Sequence, residues 1–199
     1  MNQDLIEAIG LHPSGSARGV SVIPRKFVLA AILLSLLCGT TLADFKKIAE
    51  ASWWSVIEGI RNDGTPFCAM ISRTPYGTGN IVIAYTKGAS SYEIILTKHD
   101  WAIPDGTRGS VVIRFGYRPP WKIATIASGR KLRGEIPMQN IDVFMSGFQA
   151  AGRIDVTFTA GNEPPWEFAT GGGGIIEPDF AKCIFAQNPR KPPPPTQPY

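Results

Sequence analysis

The sequence predicts a mainly β domain, an antiparallel sandwich-like or barrel-like arrangement carrying two short packed helices, with an α+β fold as the alternative. Apolar and β-branched runs recur behind residue 50 with Gly-, Pro- and Asp-containing turn signals between them. A helical period in the apolar residues is clear only over 141–148, and a second helix is read behind the glycines at 171–174. The 199 residues and the 44% hydrophobic content suit one domain with tails and exclude a disordered or collagen-like polymer.

The first 43 residues read as an extension and export signal. Arg25 and Lys26 precede the apolar run at 27–38 (FVLAAILLSLLC), and Thr41-Leu42-Ala43 ends the stretch with a small residue. An apolar core of about a dozen residues fits the roughly 7–15 of a signal peptide and falls short of the roughly 20 of a spanning helix. The expected cut follows Ala43. Leu37 ahead of Cys38 disfavours a lipoprotein cut, and an uncut membrane anchor is the alternative. Membrane contact is then expected only through this segment.

Within the exported part, 44–186, the elements follow in order. Residues 44–51 read as a short polar helix. Strands are predicted at 53–60 and 67–72 around Asp63-Gly64, and at 80–86 and 92–98 as a hairpin. Pro104-Asp105-Gly106 leads into a strand at 110–117, and Pro119-Pro120 into one at 121–127. Ile141, Phe144, Met145 and Phe148 form one face of a helix ending near Gly152. Strands at 153–159 and 165–169 follow, and Pro178 is expected to open the last helix. From 187 to 199 the chain is proline-rich and reads as a tail outside the core.

Cysteine usage implies a disulfide. Behind residue 43 only Cys68 and Cys183 remain, and an oxidising compartment would pair them, bracing the second predicted strand to the last helix. No C-x-x-C spacing points to redox work.

Catalytic patterns are sparse. The exported part holds one histidine, His99, and no G-x-S-x-G elbow. With both cysteines paired, a zinc site would have only His99 and carboxylates, so no metal or cofactor is expected. Gly171–Gly174 lacks the G-K-[ST] ending of a phosphate loop, and Glu177 and Asp179 would repel an anion; the glycines read as a permissive turn.

Charge is unevenly spread. Behind residue 43 there are 17 basic and 14 acidic residues, a net of +3, too mild to imply nucleic acid. Between Asp105 and Glu135, however, no acid interrupts Arg108, Arg114, Arg118, Lys122, Arg130, Lys131 and Arg133. In a strand at 110–117, Val111, Ile113, Phe115 and Tyr117 would face one way and Arg114, followed by Arg118, the other. These seven cations are the candidate site for an anionic envelope polymer, a lipid headgroup or an acidic protein partner.

The early Trp53-Trp54-Ser55-Val56, then Phe67-Cys68-Ala69-Met70, β hairpins, a short helix, Trp166-Glu167-Phe168, a Gly-rich turn and Phe180-x-x-Cys183 together resemble the invasion-associated locus B type of small exported alphaproteobacterial proteins. The resemblance implies a periplasmic or secreted, disulfide-braced β protein, linked in some relatives to host-cell interaction and without a known catalytic site. The expected function is non-enzymatic binding of an envelope or host component. A periplasmic hydrolase or hydrolase inhibitor is the alternative, recognisable by carboxylates or His99 converging in a pocket.

Overall fold

The computed structural model describes residues 45–74 and 79–188. The expected export signal, its expected cut after Ala43 and the proline-rich tail beyond Asn188 lie outside the described residues.

Ten strands form one antiparallel sheet: β1 (Phe45–Ala51), β2 (Trp54–Ile60), β3 (Pro66–Arg73), β4 (Asn80–Thr86), β5 (Ser91–Thr97), β6 (Arg108–Phe115), β7 (Trp121–Ser128), β8 (Lys131–Pro137), β9 (Arg153–Phe158) and β10 (Trp166–Ala169). Two α-helices accompany it, α1 (Ile141–Ala150) and α2 (Gly173–Gln187). The order across the sheet is β1-β2-β3-β4-β5-β8-β7-β6-β9-β10. The mainly β class is therefore correct, and the sheet stays open at β1 and β10 rather than closing into a barrel.

It nevertheless coils. Trp54 of β2 donates its indole N–H to the carbonyl of Ala169 in β10 at 2.7 Å, joining strands near opposite ends of the sheet order. Gly79, just before β4, lies so close to Trp166 of β10 that a Cβ there would fall 2.5 Å from the indole. The concave side holds the main core. Val56, Met70, Ile83 and Ile94 contribute from β2–β5, Val111, Ile113 and Phe115 from β6, and Phe144, Phe148, Ile176 and Phe180 from the helices. The period read at 141–148 is the reason α1 packs: Ile141, Phe144, Met145 and Phe148 are all buried.

Cys68 of β3 and Cys183 of α2 are bonded, so the brace expected from cysteine usage is present and ties the last helix to the sheet. Gln187, one turn on, donates to the Cys68 sulfur at 3.0 Å.

Four expectations need correction. The stretch at 44–51 is not a helix but the edge strand β1; its Lys, Glu and Ala content is helix-tolerant, and pairing with β2 decides the outcome. Residues 131–137, to which the sequence reading assigned no element, form β8, which inserts between β5 and β7. Tyr117 does not continue the inward face of β6, because the strand ends at Phe115, Gly116 turns at φ +53°, and the ring is fully exposed. Pro178 lies inside α2 rather than opening it. The helix begins at Gly173, where a Cβ would fall 2.2 Å from Phe148, so packing against α1 sets the start ahead of the proline.

Candidate functional site

The convex side of the sheet carries the cations. On β6, alternation turns Val111, Ile113 and Phe115 inward and leaves Arg108 and Arg114 exposed outward. On β7, Lys122, Ala124, Ile126 and Ser128 face out, with Lys122 opposite Val112 and Ile126 opposite Arg108. Six residues of strand place Arg108 and Arg114 about 20 Å apart along one line. Among the described residues none of Arg108, Arg114 and Lys122 is engaged in an ion pair or side-chain hydrogen bond. Ile126, 52% exposed, stands beside Arg108 across the strand pair as an apolar contact.

The other four cations of the predicted cluster are dispersed. Arg118 leaves the sheet in the β6–β7 turn and donates to Ser146 of α1 at 3.2 Å. Arg130, in the β7–β8 turn, lies 3.2 Å from Nδ1 of His99. Lys131 is buried. Arg133 of β8 donates to Glu93 of β5 at 2.7 Å, and Arg61 reaches the other oxygen of Glu93 at 3.2 Å. Of the seven, then, three stand on this face without a bonded acid, and Arg133 shares the face but is held by Glu93.

An open groove of about 830 Å³ runs along this face over β5–β8, and Arg108, Ile126, Arg133, Glu93 and Glu135 line it. Glu93 and Glu135 stand opposite each other across β5 and β8. Glu93 is occupied by the two guanidinium groups, and Glu135 accepts from Ser91 Oγ at 3.1 Å. His99 is remote from the two carboxylates in register, in the loop after β5, and does not line the groove. Among the described residues no three His, Cys, Asp or Glu side chains gather as a metal site.

The glycine run performs a backbone task. Gly172 has φ +102°, and a Cβ there would fall 2.2 Å from the Ala51 carbonyl, so only glycine lets α2 start against the β1–β2 turn.

One polar cluster escaped the sequence reading. Glu163, in the loop before β10, accepts from the indole N–H of Trp166 at 2.7 Å, from that of Trp101 at 3.0 Å, and from Lys98 at 3.1 Å. The two indoles stack, with centroids 5.1 Å apart. Burial pushes the Glu163 carboxyl up, but the bonds from Trp101, Trp166 and Lys98 outweigh it and hold the group below its ordinary value. Those partners lie more than sixty residues away or across a loop, and no local spacing marks them.

Compared with protein-family models, with curated proteins and with solved structures, the chain finds no match in any of the three. Among the described residues no helix is long and apolar enough to cross a membrane.

Proposed function

We propose that the chain is an exported, non-enzymatic envelope protein that holds an extended anionic polymer along the outer face of β6 and β7. The observation that carries this reading is the line of Arg108, Lys122 and Arg114, three cations without a bonded acid beside an exposed Ile126. Unpaired surface cations attract an anion without first breaking an ion pair, and a row some 20 Å long favours a chain over a small ion. Export is supported by the Arg25-Lys26 and 27–38 pattern, and by a disulfide that an oxidising compartment would supply. The resemblance to the invasion-associated locus B type enters only as this exported, braced architecture; a part in host contact is the further extension of the same proposal.

The test is co-sedimentation or calorimetry with polyphosphate as the anionic probe at low salt. The triple variant Arg108→Gln, Arg114→Gln, Lys122→Gln should bind at least tenfold more weakly, while Arg130→Gln stays within twofold of the parent. Equal loss in both, or no binding by the parent, overturns the reading.

A hydrolase reading draws on Glu93 and Glu135 facing each other in the groove. Turnover of an envelope glycan that disappears in Glu135→Gln would favour it.

A further inference from the structure

The groove over β5–β8 carries more than charge. Arg108 of β6 and Arg133 of β8 both stand directly opposite Ile126 of β7, so the three make one row across the sheet. Two strand spacings put the arginines about 10 Å apart at their Cα atoms, with the half-exposed Ile126 between them. Ala124, two residues along β7 on the same outer face, and Gly134, which has no side chain, leave the floor low. Glu93 steadies Arg133 by taking one of its five guanidinium donors at 2.7 Å, and 33% of the Arg133 side chain still meets solvent. Glu135, exposed and two residues on from Arg133, adds an acceptor to the wall; its described partner is Ser91.

We propose that the polymer held by this face is an acidic glycan with a carboxylate on alternate sugars. The groove seats one uncharged sugar over Ile126 and Ala124, and the carboxylates of its two neighbours meet Arg108 and Arg133. This rests on the reading of β6 and β7 as a polymer face and names the class of polymer. Three features favour such a glycan over a polyphosphate. The cations are sparse: strand geometry puts Arg133, Arg108, Lys122 and Arg114 about 10, 14 and 8 Å apart in turn. A chain charged at every unit would leave most of its charges unmatched there. Ile126 gives the C–H face of a sugar ring a surface on which to shed water, and a phosphate chain has no such face. Glu135 repels a dense anion but accepts a hydroxyl or amide N–H from a sugar. The groove volume of about 830 Å³ falls in the roughly 300–1,000 Å³ of small-molecule sites, which suits a short segment of a longer chain.

The test measures binding by calorimetry, on protein purified after expression of the full chain, with three probes. Hyaluronate oligosaccharides alternate a glucuronate with an uncharged amino sugar, polygalacturonate is acidic at every sugar, and polyphosphate has no sugar. Ile126→Ser removes the apolar contact and Ala124→Phe fills the floor. Neither changes a charge, and both positions are exposed, so circular dichroism and thermal melts should match the parent. Each variant should bind hyaluronate at least fivefold more weakly while its polyphosphate affinity stays within twofold of the parent. The parent should bind polygalacturonate at least threefold more weakly than hyaluronate at 0.15 M salt, where long-range attraction is largely screened. Equal loss of both probes in the variants, or no loss of hyaluronate, overturns the proposal. So does polygalacturonate binding as tightly as hyaluronate. Polyphosphate binding without hyaluronate binding removes the glycan assignment and leaves the polymer face standing, whereas binding of no probe removes both.

Discussion

Glu163 shows how one side chain can hold two loops that the sheet alone does not join. Its carboxylate takes hydrogen bonds from Trp101 and Lys98 of the β5–β6 connection and from Trp166 at the start of β10. Glu163→Gln keeps the size but loses the charge-assisted bonds, and a loss of about 1–3 kcal/mol at neutral pH is expected. The sign with pH follows from the lowered native value. The stabilisation is complete above the ordinary carboxylate range and is lost as pH falls through the lower folded value. Urea titrations at several pH values should therefore show parent and variant converging in acid; parallel curves would refute the clamp. A second contrast concerns backbone space. Gly134 and Gly109 flank Thr125 on either side in the register. A Cβ at Gly134 would sit 2.6 Å from Ile123 and 2.8 Å from the Ala124 carbonyl, whereas at Gly109 the nearest atom is 3.5 Å away. Gly134→Ala should cost about 1–3 kcal/mol by forced displacement. Gly109→Ala should be neutral or slightly stabilising, because it removes unfolded-state freedom without a clash. Thermal melts that rank the two the other way would remove the argument.

At the level of elements, what was legible depended on whether the signal was local. The α1 stripe, the β4–β5 hairpin and the Cys68–Cys183 pair all carry their evidence within a short window or in a count. β8 does not. Leu132, Gly134 and Ile136 alternate inward as a strand should, but the middle member is a glycine and two charges, Arg133 and Glu135, lie between them. Its membership is decided by β5 and β7 on either side. The same dependence on partners hid β1, whose pairing with β2 overrides a helix-like composition. The site was half legible for a related reason: sequence spacing showed seven cations and one outward-facing arginine row, but not that Glu93 and His99 would draw Arg133 and Arg130 away. The disulfide matters most at this scale, because it closes 115 residues of separation and anchors α2 over β2 and β3. Loop-closure entropy puts its contribution on the order of 4–5 kcal/mol. Cys68→Ala with Cys183→Ala should accordingly lower the melting temperature by at least 10 °C, and adding reductant to the parent should reproduce the drop. A shift of less than 2 °C in both would show that packing alone holds the helix.

For the whole molecule, the charge pattern on the coiled sheet sets both the line along which a polymer could lie and where that line stops. Arg108 and Lys122 continue toward Arg114, but the next residues outward in register are Asp155 of β9 and Glu167 of β10. Asp155 is engaged by its neighbour Arg153 at 3.3 Å, and Arg153 also approaches Glu167 at 3.5 Å. An anionic chain following the cations across β6 therefore meets two carboxylates at the β9–β10 edge. Removing the nearer one should extend the favourable field and free Arg153 to join it. Asp155→Asn is expected to tighten polyphosphate binding by about threefold to tenfold at low ionic strength. The gain should shrink as salt is raised, because at 0.15 M charges more than about 8 Å apart are largely screened. Tighter binding that persists unchanged at high salt would point to a direct contact instead of a field. Unchanged or weaker binding at low salt would mean that the polymer does not run across β6 toward β9.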